Sequence, residues 1–162
     1  CFTGLRISDI RSLRWCDIQG INGIPHVRTT MVKTKKPIFV PLSMNAMLWM
    51  PKREDDTNDT ALVFAKLPST SASLNDHVRR VAKAAKIEKQ ISFHTSRHTF
   101  ATLTLKACKD LYVVSKLLGH ASINTTRVYA EVLDSTLEDA IIKQDGILEK
   151  TASNAMSASA SQ

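Results

Sequence analysis

The sequence is poor in everything that would staple a small secreted or metal-bound scaffold. Its 162 residues include three cysteines, Cys1, Cys16 and Cys108, widely spaced and with no CxxC pair. Such a set supports neither a disulfide framework nor a zinc cluster, and it fits a reducing compartment, the cytoplasm. Aromatic residues amount to only 6%. No apolar run approaches the ~18–20 residues of a membrane span, and no signal peptide is visible. No internal repeat is evident. An initiator Met is also missing. The chain opens on Cys1-Phe2-Thr3-Gly4-Leu5, which reads as a cut inside a structured element of a longer protein.

What is present describes one globular domain. Hydrophobic residues make up 43% and charged residues 23%, enough to bury a core at this length. The net charge of +7 favours a polyanionic partner, although a basic surface alone is equally well explained by solvation. The charge is uneven. Residues 76–106 carry seven cations (Arg79, Arg80, Lys83, Lys86, Lys89, Arg97, Lys106) against Asp76 and Glu88. Residues 131–149 reverse this, with six acids against Lys143. One face is therefore expected to meet the polyanion, and the last helix is not.

Local pattern gives an α+β chain that is mostly helical. A short helix is expected over 7–13, capped by Ser8 or an earlier residue. Three β-rich pieces at 15–18, 26–32 and 38–42 are close together and separated by turn residues, which favours an antiparallel meander. Pro41 suits a strand end. Helices follow at 43–50 and at about 74–86, the latter with Leu74, Val78, Val81 and Ala85 on one face. A polar loop at 52–60 separates them. The next helix starts at His94 and runs to about 107. Asp110 is placed to cap 111–118, and Gly119 to end it. Ser122 opens the helix that carries Tyr129. Leu133, Leu137, Ile141 and Leu148 mark a final amphipathic helix. Residues 150–162 alternate Ala and Ser and read as a disordered tail.

Several polar residues have the chemistry of phosphate transfer. His94 and Arg97, three apart, share a helix face with Cβ atoms ~5–6 Å apart. Arg6 follows a turn at the mouth of a helix. Two guanidiniums can fork onto one phosphate. Lys33 begins a basic hairpin tip with Lys35 and Lys36, from which an amine could protonate a leaving oxygen. Charge alone does not separate Lys33 from Lys35. A tip that only attracts backbone phosphates would look the same. His94 and His120 exchange protons near neutral pH. Tyr129 becomes a nucleophile only where neighbours take its proton. Singly, each of these is more often a surface or packing residue. His94 and His98, four apart, also invite a metal reading, but the Glu of HExxH is absent and no acidic or Cys ligand stands at useful spacing.

Together the motifs are specific. Thr3-Gly4-Leu5-Arg6-Ile7-Ser8-Asp9-Ile10 resembles the first-arginine motif of the tyrosine recombinases, the phage integrase family. Lys33, eight positions before Pro41, resembles the family's β-hairpin lysine, and that register selects it over Lys35 and Lys36. His94-Thr95-Ser96-Arg97 is similar to the HxxR box, Leu117-Leu118-Gly119-His120 to the box after it, and Thr125-Thr126-Arg127-Val128-Tyr129 to the nucleophile box. The style is similar to integrases of conjugative or mobilisable elements.

The resemblance covers about residues 1–145. It implies the DNA breaking-rejoining fold, a helical core with a small three-stranded antiparallel sheet, and a catalytic domain over 1–149 whose upstream DNA-clamping domain lies outside this chain. It implies that Tyr129 forms a 3′-phosphotyrosyl link, that Arg6, Arg97 and His120 hold the phosphate, that His94 helps accept the tyrosine proton and that Lys33 protonates the 5′ oxygen. Lys35 and Lys36 would touch the DNA backbone. No metal or nucleotide cofactor is implied. The implied partners are double-stranded DNA and, for the full-length protein, three further copies in a tetramer, with this fragment a monomer. A type IB topoisomerase shares the chemistry but relaxes DNA alone. The Gly119-His120 box and the β-hairpin module favour the recombinase. A non-catalytic DNA-binding protein is disfavoured by the complete set of residues.

Overall fold

A computed structural model describes residues 1–136, with side chains described through residue 130. The amphipathic stripe from Leu133 to Leu148 and the Ala/Ser tail lie outside the described structure or side chains. The chain builds two packed units joined at the site, a sheet with its flanking helices and a helical layer.

The first helix, α1 (Ile7–Ser12), starts from an extended Arg6 whose carbonyl accepts from the amides of Asp9 and Ile10. No side chain caps it, so Ser8 is not the cap. Ser8 already lies inside the helix, too late to reach the free amides of the first turn. Residues 15–18 differ from the strand expected there. Trp15–Asp17 form a 3-10 turn, and Asp17 Oδ2 accepts from the Arg14 amide at 2.9 Å. The amides of Trp15 and Cys16 donate instead to the carbonyls of Ala61 and Asp59, so they are unavailable to the sheet.

The sheet therefore begins later. Its strands are β1 (Ile18–Ile21), β2 (Ile24–Thr30) and β3 (Pro37–Pro41), antiparallel in the order β1-β2-β3. Asn22 and Gly23, both with positive φ, make the two-residue turn that matches strand twist. Pro41 closes β3, as its missing N–H requires. Val27, Ile38 and Val40 face inward while Arg28 and Phe39 face out. Leu5, Leu13, Met31, Leu42, Ala46 and Val63 complete this core. Helix α2 (Met44–Leu48) is capped by Ser43 Oγ and is shorter than expected.

The helical layer holds α3 (Ser71–Ala84), α4 (Phe93–Cys108) and α5 (Leu111–Leu118). Thr70 Oγ1 accepts from the Ser73 amide, which starts α3 three residues earlier than its apolar pattern indicates. Its inward row is Leu74, Val78 and Ala82. Val81 is 69% exposed and Ala85 is also outside, contrary to the expected face. The row spaced by four residues packs inward, and the wider stripe does not. Ser92 and Thr95 form a reciprocal cap for α4. Asp110 Oδ1 accepts from the amides of Tyr112 and Val113 and starts α5. Ala101, Leu105, Val114, Leu118 and Tyr129 form the second core. The segment Ile123–Thr136 that carries Tyr129 is 3-10 rather than α-helical, with Ser122 Oγ accepting from the Asn124 amide at its start.

Gly119 joins the two units. It ends α5 at φ +60°, and a Cβ there would stand 2.2 Å from Met31 Sδ and 3.2 Å from Ile38 Cδ1. Only a residue with no side chain permits this approach of α5 to the β2–β3 hairpin. The approach puts His120, next in sequence, beside the base of the loop that carries Lys33.

Candidate active site

Arg97 organises the site. Four per cent exposed on α4, it donates from Nη1 to the carbonyl of Gly4 at 2.5 Å and from Nη2 to that of Leu118 at 2.7 Å. One planar fork thus ties the turn before Arg6 to the turn before His120. Burial, then the charge of Arg6, lowers the Arg97 pKa to about 10, so it remains a cation at neutral pH. Tyr129 and Asp9 act in the opposite direction.

Arg6, Lys33, His94 and Arg97 line one cleft of about 310 Å³, with Ser8 and Asn75 on its wall. Arg6 is half-buried, and its Nη1 points at Met31 Sδ, 3.6 Å away. Lys33 is exposed on the 31–36 loop of the hairpin. That loop is closed by the Met31 amide on the Lys36 carbonyl and the Lys35 amide on the Met31 carbonyl. Lys35, at φ 54°, lines a different concavity with Arg14 and Arg28. Lys36 is exposed and lines neither. The geometry thus separates Lys33 from the two lysines that share its charge.

His120 and Tyr129 stand outside that cleft's lining and are coupled to it electrostatically. His120 Nδ1 lies 2.8 Å from Oγ1 of the fully buried Thr126. Burial first, then Arg97 and Arg6, pushes its pKa down to about 4, so the ring is neutral. If the Thr126 hydroxyl donates to Nδ1, the proton is on Nε2, and Nε2–H is left as a donor. Tyr129 is 8% exposed. Burial raises its phenol pKa against the opposing pull of Arg97, so it too is neutral at rest. Its hydroxyl lies 2.7 Å from Nδ1 of His98, not on His94. His94 meets His98 edge-on, with ring centroids 4.7 Å apart. Burial, then His98, Arg97 and Arg6, lower the pKa of His94.

Three residues here were not legible as site residues in the sequence. His98 was visible only as a possible metal partner of His94. Thr126 looked like one of several threonines. Asp9 is buried, its Oδ1 accepts from the Val32 amide at 2.8 Å, and its Oδ2 has no hydrogen-bond partner. Asp9 thereby fixes the backbone next to Lys33, and its negative charge faces Arg97.

Residues 1–136, the whole described structure, match the phage integrase family. This chain belongs to that family. It is 33% identical over 144 residues to a tyrosine recombinase of Thermosipho africanus, covering 88% of this chain and 50% of that protein. It is 33% identical to tyrosine recombinase XerD of Oceanobacillus iheyensis, covering 85% and 49%. The chain spans about half the length of these relatives. Among solved structures it resembles XerH site-specific recombinase bound to a palindromic difH substrate in a post-cleavage complex. That match has a TM-score of 0.63 and 31% identity over 86% of this chain and 42% of that one. It also resembles the catalytic domain of bacteriophage HP1 integrase, with a TM-score of 0.59 and 26% identity over 86% and 74%. The mostly helical fold with a small three-stranded sheet is thus an integrase catalytic fold. No helix among the described residues is long and apolar enough to cross a membrane.

Proposed function

We propose that this chain is the catalytic part of a site-specific DNA recombinase that cuts and rejoins strands through a 3′-phosphotyrosine. The observation that carries the reading is the convergence of Arg6, Lys33, His94 and Arg97 on one cleft, with His120 and Tyr129 within electrostatic reach of Arg97.

A phosphodiester transfer develops charge on the non-bridging oxygens, and preorganised donors there supply much of the catalysis. Arg97 is preorganised by its two carbonyl bonds, and Arg6 stands across the cleft. Their mutual repulsion is relieved when a phosphate enters between them. His120, neutral, contributes an Nε2–H hydrogen bond. Tyr129 gives its phenolic proton to a neighbouring histidine as it attacks phosphorus in line, the P–O5′ bond breaks, and Lys33 gives a proton to the departing 5′ oxygen. The 5′-hydroxyl of a second strand then attacks the link and releases Tyr129. The bond energy stays in the phosphotyrosine, so no metal or nucleotide is needed to supply it.

The DNA partner is supported by charge as well. A groove of about 1110 Å³ beside α3 is lined by Arg79, Lys83, Lys86 and Lys89. These cations suit a phosphate backbone, as do Lys35 and Lys36 beyond the cleft. In the full-length protein we place four copies on two duplexes, working in the cytoplasm. The test uses the full-length protein and a nicked suicide duplex, chosen from a randomised pool for covalent capture. Wild type should give a denaturation-resistant protein–DNA adduct and Tyr129→Phe none. No adduct from wild type would sink the enzyme reading.

A further inference from the structure

The nucleophile's hydroxyl is in contact with a base that the motif reading assigned no chemical role. We propose that His98 is a catalytic residue, which takes the phenolic proton of Tyr129 as the tyrosine attacks and returns it when the link is resolved. This rests on the transesterification proposed above.

The geometry separates His98 from the other candidates. Three histidines lie near the site. His120 Nδ1 is engaged by Thr126. His94 touches the site through the cleft and through the edge of the His98 ring. His98 alone has a ring nitrogen on the phenol, at 2.7 Å, with ring centroids 5.7 Å apart. That distance is within direct proton-transfer reach. His98 follows Arg97 on α4, so the helix that fixes the phosphate-binding fork also fixes the base. The segment bearing Tyr129 packs on α4 and α5, which holds the phenol against this ring.

Burial makes the need for a base acute. A phenol with a raised pKa is almost wholly protonated at neutral pH and is a poor nucleophile until a neighbour accepts its proton. The transfer needs the tautomer in which the phenol O–H donates to Nδ1 and the ring's own proton is on Nε2. On attack the Oη–P bond forms, the P–O5′ bond breaks, the phenolic proton moves to His98 Nδ1 and Lys33 protonates O5′. The ring is then an imidazolium. On rejoining, an incoming 5′-hydroxyl gives its proton to the Lys33 amine as it attacks phosphorus, the Oη–P bond breaks, and Nδ1 returns the proton to the phenolate. Among the described residues, His94 meets the His98 ring edge-on and the Tyr129 hydroxyl lies on its Nδ1.

Glutamine separates a base from a positioning group, because it can hydrogen-bond the phenol but cannot take its proton. The full-length protein and the selected nicked duplex serve again, and thermal unfolding checks that each variant folds. Both His98→Gln and His98→Ala should form adduct on the order of 100-fold more slowly than wild type. Added imidazole should speed the alanine variant. A 5′-bridging sulfur, which needs no acid to leave, should help neither variant. A glutamine variant within about threefold of wild type overturns the proposal. So does an alanine variant that imidazole leaves unchanged. A wild type that forms no adduct would instead overturn the recombinase reading itself, so the two failures are distinguishable.

Discussion

Replacing Arg97 by lysine separates charge from geometry at the residue that joins the two halves of the site. The arginine bonds two carbonyls, those of Gly4 and Leu118, from the two ends of one rigid fork. A lysine keeps the charge but presents all its donors from one point, and it retains one of the two bonds. A hydrogen bond to a charged group is worth ~1.5–3 kcal/mol, and the freed carbonyl stays buried. In a chain of this size each kcal/mol lowers the unfolding midpoint by about 2–4 °C, so Arg97→Lys should lose about 3–12 °C. Chemistry should suffer more. Losing one preorganised donor to a developing oxyanion costs ~100-fold or more, read as the rate of adduct formation on the nicked duplex. A pH signature follows. Burial and Arg6 already depress the arginine to about 10. Acting on a lysine, whose ordinary value is about 10.4, they would bring its deprotonation into the mildly alkaline range. The charge is present below that range and lost above it. Residual activity of Arg97→Lys should therefore fall between about pH 7 and about pH 9, while wild-type Arg97 stays charged. A variant that unfolds within about 1 °C of wild type and cleaves at a comparable rate would refute the anchoring role.

Other outcomes follow from the same geometry. Gly119→Ala must adopt a left-handed backbone, at ~1–2 kcal/mol, and push aside the fully buried Met31 sulfur, at ~1–3 kcal/mol. Chemical denaturation should show a loss of about 2–5 kcal/mol, and an unchanged midpoint would contradict the close approach of α5 to the hairpin. His120, held near 4 against an ordinary 6.5, binds fewer protons folded than unfolded between those values. Its contribution to stability is therefore intact above about 6.5 and shrinks as pH falls towards 4, with His94 acting in the same direction. His120→Asn should flatten that slope in denaturant titrations at stepped pH, and an unchanged slope would show that the ring is not the titrating group. Lys33→Ala should slow cleavage of an ordinary duplex and recover on a 5′-bridging sulfur substrate. Equal defects on both would argue against proton donation by Lys33.

How much was legible in the sequence divides along local and non-local lines. Caps and turns at Asp110, Gly119 and Pro41 stand where their own chemistry places them. The three-stranded meander and all four helices from 43 to 118 follow from spacing. The misplaced pieces were decided by distant contacts. Trp15 and Cys16 leave the sheet because the 59–61 loop takes their amides. Val81 faces water because α4 accepts the row through Leu74, Val78 and Ala82. The arginines, Lys33, His94, His120 and Tyr129 could be named because their motifs are recognisable in order. Asp9 and His98 could not, because each acts through one partner far along the chain, Val32 and Tyr129, and no local pattern announces such a pairing. Thr126 could not either, because its pairing with His120 depends on the turn at Gly119 rather than on a helical spacing.

The most direct test is the chemical identity of the link to DNA. The full-length protein is trapped on a nicked duplex, digested with protease and nuclease, and sequenced by mass spectrometry. The account predicts a nucleotide joined through a 3′ phosphate to the hydroxyl of Tyr129, on the peptide containing Thr126-Arg127-Val128-Tyr129. Attachment at Tyr112, at a serine or at no residue of this chain would contradict it.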